Sequence, residues 1–154
     1  MKIGGIVENH DLTLYRITSL VDKPGAAGTV LKIFALNNIN IEYISESSAA
    51  NGSAVMAICI KSNMSDRLDK LLQGDKALSG HLNIKKVENV TVLGIYGPHF
   101  REKPFLAAKF CMILGAANVN ILGIASSISS INGIIKSSEV DVAKQALLQE
   151  FELP

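Results

Sequence analysis

Two apolar runs of β-forming residues occur in the chain, and each is followed by a run with helical spacing. Leu12 to Leu20 and Val90 to Tyr96 have the composition of strands. The apolar positions that follow recur at i, i+3, i+4, i+7 and i+8, which predicts one buried helical face. These positions are Ala27, Val30, Leu31, Phe34 and Ala35 in the first run and Ala107, Phe110, Cys111, Leu114 and Gly115 in the second. The pattern therefore predicts a strand and then a helix, twice.

The two runs are copies of one unit. They align without gaps at an offset of 80 residues, from Asp22 and Glu102 through Ser47 and Ser127. Nine of these 26 positions are identical, where average residue usage would give about two by chance. The identities include the corner residues Lys23 and Pro24, which recur as Lys103 and Pro104. A period of this length indicates a duplicated small domain.

The remaining elements extend each copy to the order β-α-β-β-α-β, which is the ferredoxin-like arrangement. The predicted further strands are 40–44, 54–61 and 82–88 in the first copy and 120–124 and 133–137 in the second, and the predicted second helices are 65–73 and 139–151. The second copy ends without a fourth strand, and an open sheet edge is a liability. We therefore expect the N-terminal run Ile3 to Val7 to complete it. The expected fold is α+β, with one domain at residues 10–89 and the other at residues 90–154 plus 1–8.

Composition narrows the classes of function. The 15 Lys and Arg residues balance 14 Asp and Glu residues, so neither nucleic acid nor a membrane is an expected partner. The N-terminus, MKIGGIVENHD, reaches an acid too early for a signal peptide, and we expect a cytoplasmic protein. No common phosphate, dinucleotide or nucleophile motif is found, and the three histidines lack a second ligand at metal spacing. We therefore expect no catalytic residues, no metal and no cofactor.

The first corner, DKPG, has the chemistry of a carboxylate site. If the helix begins near Pro24, the N–H groups of Gly25, Ala26 and Ala27 lack intrahelical partners and attract an anion. Asp22 could accept a hydrogen bond from an ammonium group. Further acceptors follow the helix, namely Asn40, Glu42 and Glu46. Such a site complements a free amino acid, although the same residues also fit a simple tight turn and helix start.

The strand, the D-K-P-G corner, the Ala-rich helix and the segment N-I-N-I-E-x-I-S together resemble an ACT domain, a small-molecule regulatory module. Two such units in tandem, the second ending in QEFELP, resemble the C-terminal regulatory region, or the separate regulatory subunit, of aspartokinase. The resemblance implies a homodimer that binds lysine or threonine between ACT domains and controls an aspartokinase catalytic domain or subunit by feedback. The effector-binding residues implied are Asp22, Pro24, Gly25, Ala26, Ala27, Asn40, Ile41, Glu42, Glu46, Asn120 and Ile121.

Two departures from the family pattern refine this expectation. Glu46 stands where threonine-binding relatives have Gln, and a carboxylate there favours the cationic side chain of lysine. Phe105 stands in the second copy where the first has Gly25, and we expect its ring to occupy the place of a ligand carboxylate. The sequence therefore predicts one type of effector site per chain, in the first copy.

Other interpretations stay open. No kinase domain is present, so the chain is a separate regulatory subunit, part of a longer enzyme or a free-standing paralogue. An ACT module that only pairs subunits, without a ligand, would have the same pattern. A small acylphosphatase-like enzyme of the same topology ranks last, because its phosphate-binding arginine would have to be Arg101, beside a corner that is expected to be filled.

Overall fold

The computed structural model describes residues 1–76 and 80–154. They form two compact units, one of residues Leu12–Glu88 and one of Met1–Asp11 with Asn89–Pro154. The strands are β1 Gly5–Val21, β2 Tyr43–Ser48, β3 Ser53–Lys61, β4 Asn83–Tyr96, β5 Gly123–Ser126 and β6 Ser130–Lys136. The helices are α1 Ala26–Leu36, α2 Ser65–Gly74, α3 Leu106–Ala116 and α4 Val140–Glu150. We propose that these units are the two domains expected at residues 10–89 and at 90–154 plus 1–8.

The unit Leu12–Glu88 has the strand order β2-β3-β1-β4, with α1 and α2 packed on one face. Strands β1 and β2 both run antiparallel to β3. Helix α1 buries Ala26, Val30 and Phe34 at four-residue spacing, which is one helical stripe. These side chains meet Ile17, Met56 and Ile58 of the strands, among others, in a single apolar core.

The second unit has the order β1-β4-β6-β5, so the N-terminal part of β1 takes the fourth strand position. Just before β1, the N–H of Gly4 donates to the carbonyl of Tyr96 at 2.7 Å, and the N–H of Ile3 donates to the carbonyl of Glu152 at 2.9 Å. Ile3 is itself buried in the core, with Phe110 and Leu147. The predicted α+β fold of two ferredoxin-like units, the second completed by the N-terminal strand, is confirmed.

Two predicted strand breaks are absent. We expected Ile3 to Val7 to be separate from Leu12 to Leu20, but residues 5–21 form the single strand β1. The break expected near residue 89 likewise falls inside β4. At each of these two places the strand has a residue with positive φ, Asp11 at 60° in β1 and Asn89 at 55° in β4. A second such residue of β1, Ser19 at 63°, lies where the register with β3 shifts. Asp and Asn tolerate this conformation better than other L-residues, so polar residues that suggested a turn are accommodated within the strand.

Candidate functional site

The first corner is the turn of residues 22–25 between β1 and α1. The N–H of Asp22 donates to the carbonyl of Gly52 at 3.2 Å, which ties the end of β1 to the β2–β3 turn. The N–H of Ala26 donates to the carbonyl of Lys23 at 3.1 Å and closes the turn. Asp22, Lys23 and Pro24 are exposed, so the corner presents one charge of each sign to solvent.

Gly25 has a conformational role at this corner. Its φ is 84° and its ψ is −5°, the left-handed region, and it caps the N-terminus of α1. A Cβ atom built at Gly25 would meet nothing within 4 Å, so the space around it does not require glycine. The backbone conformation alone accounts for glycine at this position. Phe105, at the same position of the second unit, has φ −81° and needs no glycine.

The start of α1 presents unpaired backbone donors, although not the full set expected. The N–H of Ala26 donates to the carbonyl of Lys23, which precedes the helix, so this N–H is not available to a ligand. Within the described part of the chain, the N–H groups of Gly25, Ala27 and Gly28 have no acceptor. Ala27 is partly buried and Gly28 is exposed, so solvent or a ligand can reach this turn. The positive end of the helix dipole adds to the attraction for an anion here.

Glu46 lies towards the same end of the unit as the corner. Leu20 of β1 and Ser48 of β2 both pair with Ala54 of β3, which lies between the two strands. The ends of β1 and β2 therefore lie at the same level of the sheet. Glu46 pairs with Met56, a core residue, and cross-strand partners share a face of the sheet. Glu46 therefore lies on the face of the sheet that α1 covers, and it is exposed because β2 is the edge strand.

Asn40, Ile41 and Glu42 lie at the opposite end of this unit. They follow α1, whose 11 residues carry the chain about 16 Å away from Gly25. The N–H of Glu42 donates to the carbonyl of Cys59 at 2.8 Å, at the far end of β3 from Ala54. Within the unit, the structure thus brings the corner and Glu46 together and leaves these three residues apart.

Asn120 and Ile121 occupy the corresponding place in the other unit, directly after α3. They precede Leu122, whose N–H donates to the carbonyl of Ile134 at 2.7 Å. Ile121 is partly buried against that unit's core, and Asn120 is exposed. Their expected role in closing the first corner stays a prediction.

Sequence reasoning missed a polar network beneath α2. The buried hydroxyl of Tyr15 donates to Oδ1 of Asp69 at 2.7 Å and lies 2.8 Å from Oγ of Ser65. Nζ of Lys86 donates to Oδ2 of Asp69 at 2.9 Å. Burial, opposed by the hydrogen bond from Ser65, raises the pKa of Tyr15 to about 12. Tyr15 lies in an apolar strand whose residues 12–15 are all buried, but nothing local in the sequence indicates partners about 50 residues away.

The described residues offer no other familiar chemistry. Among residues 1–76 and 80–154, no three His, Cys, Asp or Glu side chains are placed to hold a metal ion. None of the helices in the described ranges has the length and apolar character needed to cross a bilayer.

Comparison with known proteins bears on this corner directly. The family model of the ACT domain matches residues 15–73, which contain the corner, α1 and Glu46. Residues 15–73 thus resemble an ACT domain, as the sequence predicted. Over 153 residues, it is 22% identical to an aspartokinase of Bacillus sp. (strain MGA3), covering 99% of this chain and 37% of that protein. This chain thus spans little more than a third of the length of that relative.

Solved structures with the same fold include a regulatory subunit of an aspartate kinase and a longer aspartokinase chain. The ligand-free regulatory subunit of aspartate kinase from Thermus thermophilus has a TM-score of 0.86 and 22% identity, covering 99% of this chain and all (100%) of that one. Aspartokinase III of E. coli, in complex with lysine and aspartate, has a TM-score of 0.72 and 18% identity, covering 97% of this chain and 33% of that one. The predicted resemblance to the regulatory region or regulatory subunit of aspartokinase is confirmed.

Proposed function

We propose that this chain is an amino-acid-sensing regulatory module of aspartokinase, which exerts feedback control on the biosynthesis of aspartate-family amino acids. The observation that carries this proposal is the first corner, where unpaired N–H groups of Gly25 and Ala27 face solvent beside the carboxylate of Asp22. Donors for a carboxylate next to an acceptor for an ammonium group complement an amino acid head group. The module has no catalytic residues of its own, and we propose that it acts in the cytoplasm.

We propose that the effector is lysine, with threonine as the alternative. Glu46 is an exposed carboxylate towards the same end as the corner and on the face of the sheet that α1 covers. A carboxylate favours an ammonium side chain through a charge-assisted hydrogen bond and offers threonine no such gain. The lysine complex of a structural relative supports the choice. Replacing Glu46 with Gln should weaken lysine more than threonine, and an unchanged preference would contradict the proposed role of Glu46.

We propose that the site is completed between ACT domains of a homodimer. The corner and the residues Asn40, Ile41 and Glu42 lie at opposite ends of α1, so one unit alone cannot bring them onto one small ligand. Residues after the first helix of a different unit can meet the corner if the two units are antiparallel. Asn120 and Ile121 supply such a segment, and we propose that they close the corner. Sedimentation analysis with and without lysine should give a dimer.

We propose that regulation follows from differential binding. An effector that binds one dimer arrangement more tightly shifts the population towards it, and an aspartokinase catalytic domain or subunit responds to that shift. By thermodynamic reciprocity, the catalytic partner must also change the affinity of this module for its effector. The affinity for lysine should therefore differ between the isolated chain and its complex with the partner.

Thermal unfolding in the presence of each of the twenty amino acids tests the proposal. A ligand at 100 times its dissociation constant stabilises the folded state by about 2.7 kcal/mol. We expect lysine or threonine to raise the melting temperature, and Asp22→Asn to abolish the rise. Asp66→Asn is the matched control, because Asp66 is an exposed acid in the first turn of the other helix of the same unit. An equal loss in both variants would show that general charge, and not the corner, is responsible.

The second candidate function is an interaction module that binds no ligand. The sheet edge formed by β2 favours it, since an edge strand offers unpaired backbone groups to a second chain. This function predicts a stable dimer whose melting temperature no amino acid changes.

A further inference from the structure

The second corner, residues 102–105, borders a cavity that the sequence did not predict. It has a volume of about 270 Å³ and lies where the chain enters α3, in the unit of residues 1–11 and 89–154. Its apolar floor includes Phe100, Leu106 and Ile131, all buried. Its polar lining comes from Arg101 and Lys103 on the approach to α3 and from Ser126 at the end of β5.

Phe105 does not occupy this cavity. Its side chain is 60% exposed and lines a separate groove between α3 and α4, together with Lys109 and Met112. The ring therefore leaves this cavity free, and whether it excludes a ligand carboxylate from the start of α3 stays a prediction. The reason lies in the backbone, because Phe105 takes a right-handed conformation at the N-terminus of α3, whereas Gly25 is left-handed. The second corner is consequently open.

The charge in the cavity is positive and uncompensated. Of the described residues that line it, Arg101 and Lys103 are the charged ones. Neither side chain has a hydrogen bond or ion pair with any residue in the described ranges. The neighbouring acid, Glu102, does not line the cavity and instead lies 3.2 Å from Nδ1 of His99. Arg101 is exposed and Lys103 is partly buried, so solvent weakens the attraction of Arg101 for an anion more than that of Lys103.

Neutral donors add to this charge. Ser126 contributes a hydroxyl group to the lining. The N–H of Ala107, another lining residue, has no acceptor in the part of the chain that the structure describes. An Arg guanidinium can bind a carboxylate or phosphate through two parallel hydrogen bonds, and a Lys adds a point charge. The volume is below the 300–1,000 Å³ usual for drug-sized ligands, which favours a compact anion over a nucleotide.

We propose that the second corner binds a small dianion, either phosphate or a short dicarboxylate, between Arg101, Lys103 and Ser126. This site is separate from the amino-acid site of the first corner and has the opposite charge preference. The two sites therefore select different ligands. The carboxylates at the first corner favour a ligand with an ammonium group, and the cations at the second corner favour an anion. The proposal does not depend on the proposed amino-acid effector.

Titration of the full chain with phosphate and, separately, with succinate at constant ionic strength tests the site. We expect saturable binding of at least one of them and a loss of about 10- to 100-fold in affinity in Arg101→Gln, the range for a hydrogen bond to a charged group. Arg67→Gln is the control, because Arg67 is an exposed arginine on α2. No saturable binding of either anion, or an equal loss in Arg67→Gln, would overturn the proposal.

Two further variants separate the alternatives. Phe105→Ala should leave anion binding unchanged, because the ring does not line the cavity. If only Phe105→Ala bound the anion, the ring would block the corner in solution and the proposal would fail. Asp22→Asn should also leave anion binding unchanged, so a failure at the first corner cannot be confused with a failure at the second.

Discussion

The left-handed conformation of Gly25 gives the sharpest test of the first corner. We expect Gly25→Ala to destabilise the protein although the new methyl group meets nothing within 4 Å. An L-residue at a φ of 84° costs about 1–2 kcal/mol relative to its preferred conformations. Losing the unfolded-state freedom of glycine offsets about 0.4–1 kcal/mol of this. The net loss of stability should be about 1 kcal/mol.

Gly28→Ala is the matched control. Gly28 lies three residues after Gly25, in the first turn of α1, and its Cβ would also meet nothing within 4 Å. Its φ is not positive, so alanine should stabilise the helix by about 0.5–1 kcal/mol. The two variants should therefore differ by about 1.5–2 kcal/mol, or about 3–8 °C in melting temperature for a chain of this size.

Thermal unfolding of the two variants side by side provides the assay. Because both substitutions add one methyl group in open space to the same turn, their difference isolates the backbone term. If Gly25→Ala were as stable as Gly28→Ala, the corner would relax without loss into a right-handed conformation like that of Phe105. The structural account of the D-K-P-G motif would then be refuted.

Two further substitutions test the buried hydrogen bonds of Tyr15 and the close packing of strands at Gly94. Tyr15→Phe should lower stability by about 1–2 kcal/mol through loss of its buried hydrogen bonds, whereas Tyr96→Phe, at a half-exposed ring, should be nearly neutral in chemical denaturation. The pKa of Tyr15 is raised from 10 to about 12 in the folded state, so the wild-type protein should lose stability relative to Tyr15→Phe as the pH rises above 10. If the free energies of unfolding of the two proteins changed in parallel from pH 9 to 11, this expectation would be contradicted. Gly94→Ala should cost about 1–3 kcal/mol through overpacking, since its Cβ would lie 2.7 Å from the carbonyl oxygen of Ile131. Gly133→Ala should cost less stability, because the nearest atom to its new Cβ would lie at an ordinary 3.4 Å. Equal urea unfolding midpoints for Gly94→Ala and Gly133→Ala would argue against the close approach of β4 and β6.

Most of the fold could be predicted from the sequence, because the same pattern of strands and helices occurs in both copies and each copy supports the assignment in the other. The D-K-P-G corner and its copy E-K-P-F fixed the same strand-to-helix step in both units, and the missing fourth strand of the second unit left one place for the N-terminal run. Strand continuity at Asp11 and Asn89 was not predictable, because a polar residue with positive φ can end a strand or sit inside one.

The candidate site was predicted less completely. Asp22 and Gly25 follow one another along the chain, so local reasoning placed them correctly at a helix start. Asn40 was grouped with them because it follows in sequence, yet α1 carries it to the opposite end of the unit. The conformation of Phe105 could not be read from its identity, since a large residue at a helix start is compatible with a filled or an open corner.

The measurement that tests the central claim most directly is calorimetric titration of the chain with lysine, for the wild type and for Asp22→Asn. The account predicts saturable binding of one lysine per chain and a loss of at least about tenfold in affinity in the variant, as expected when a charge-assisted hydrogen bond is removed. If neither lysine nor threonine produced a binding isotherm, or if Asp22→Asn bound lysine as tightly as the wild type, the first corner would not be an amino-acid sensor.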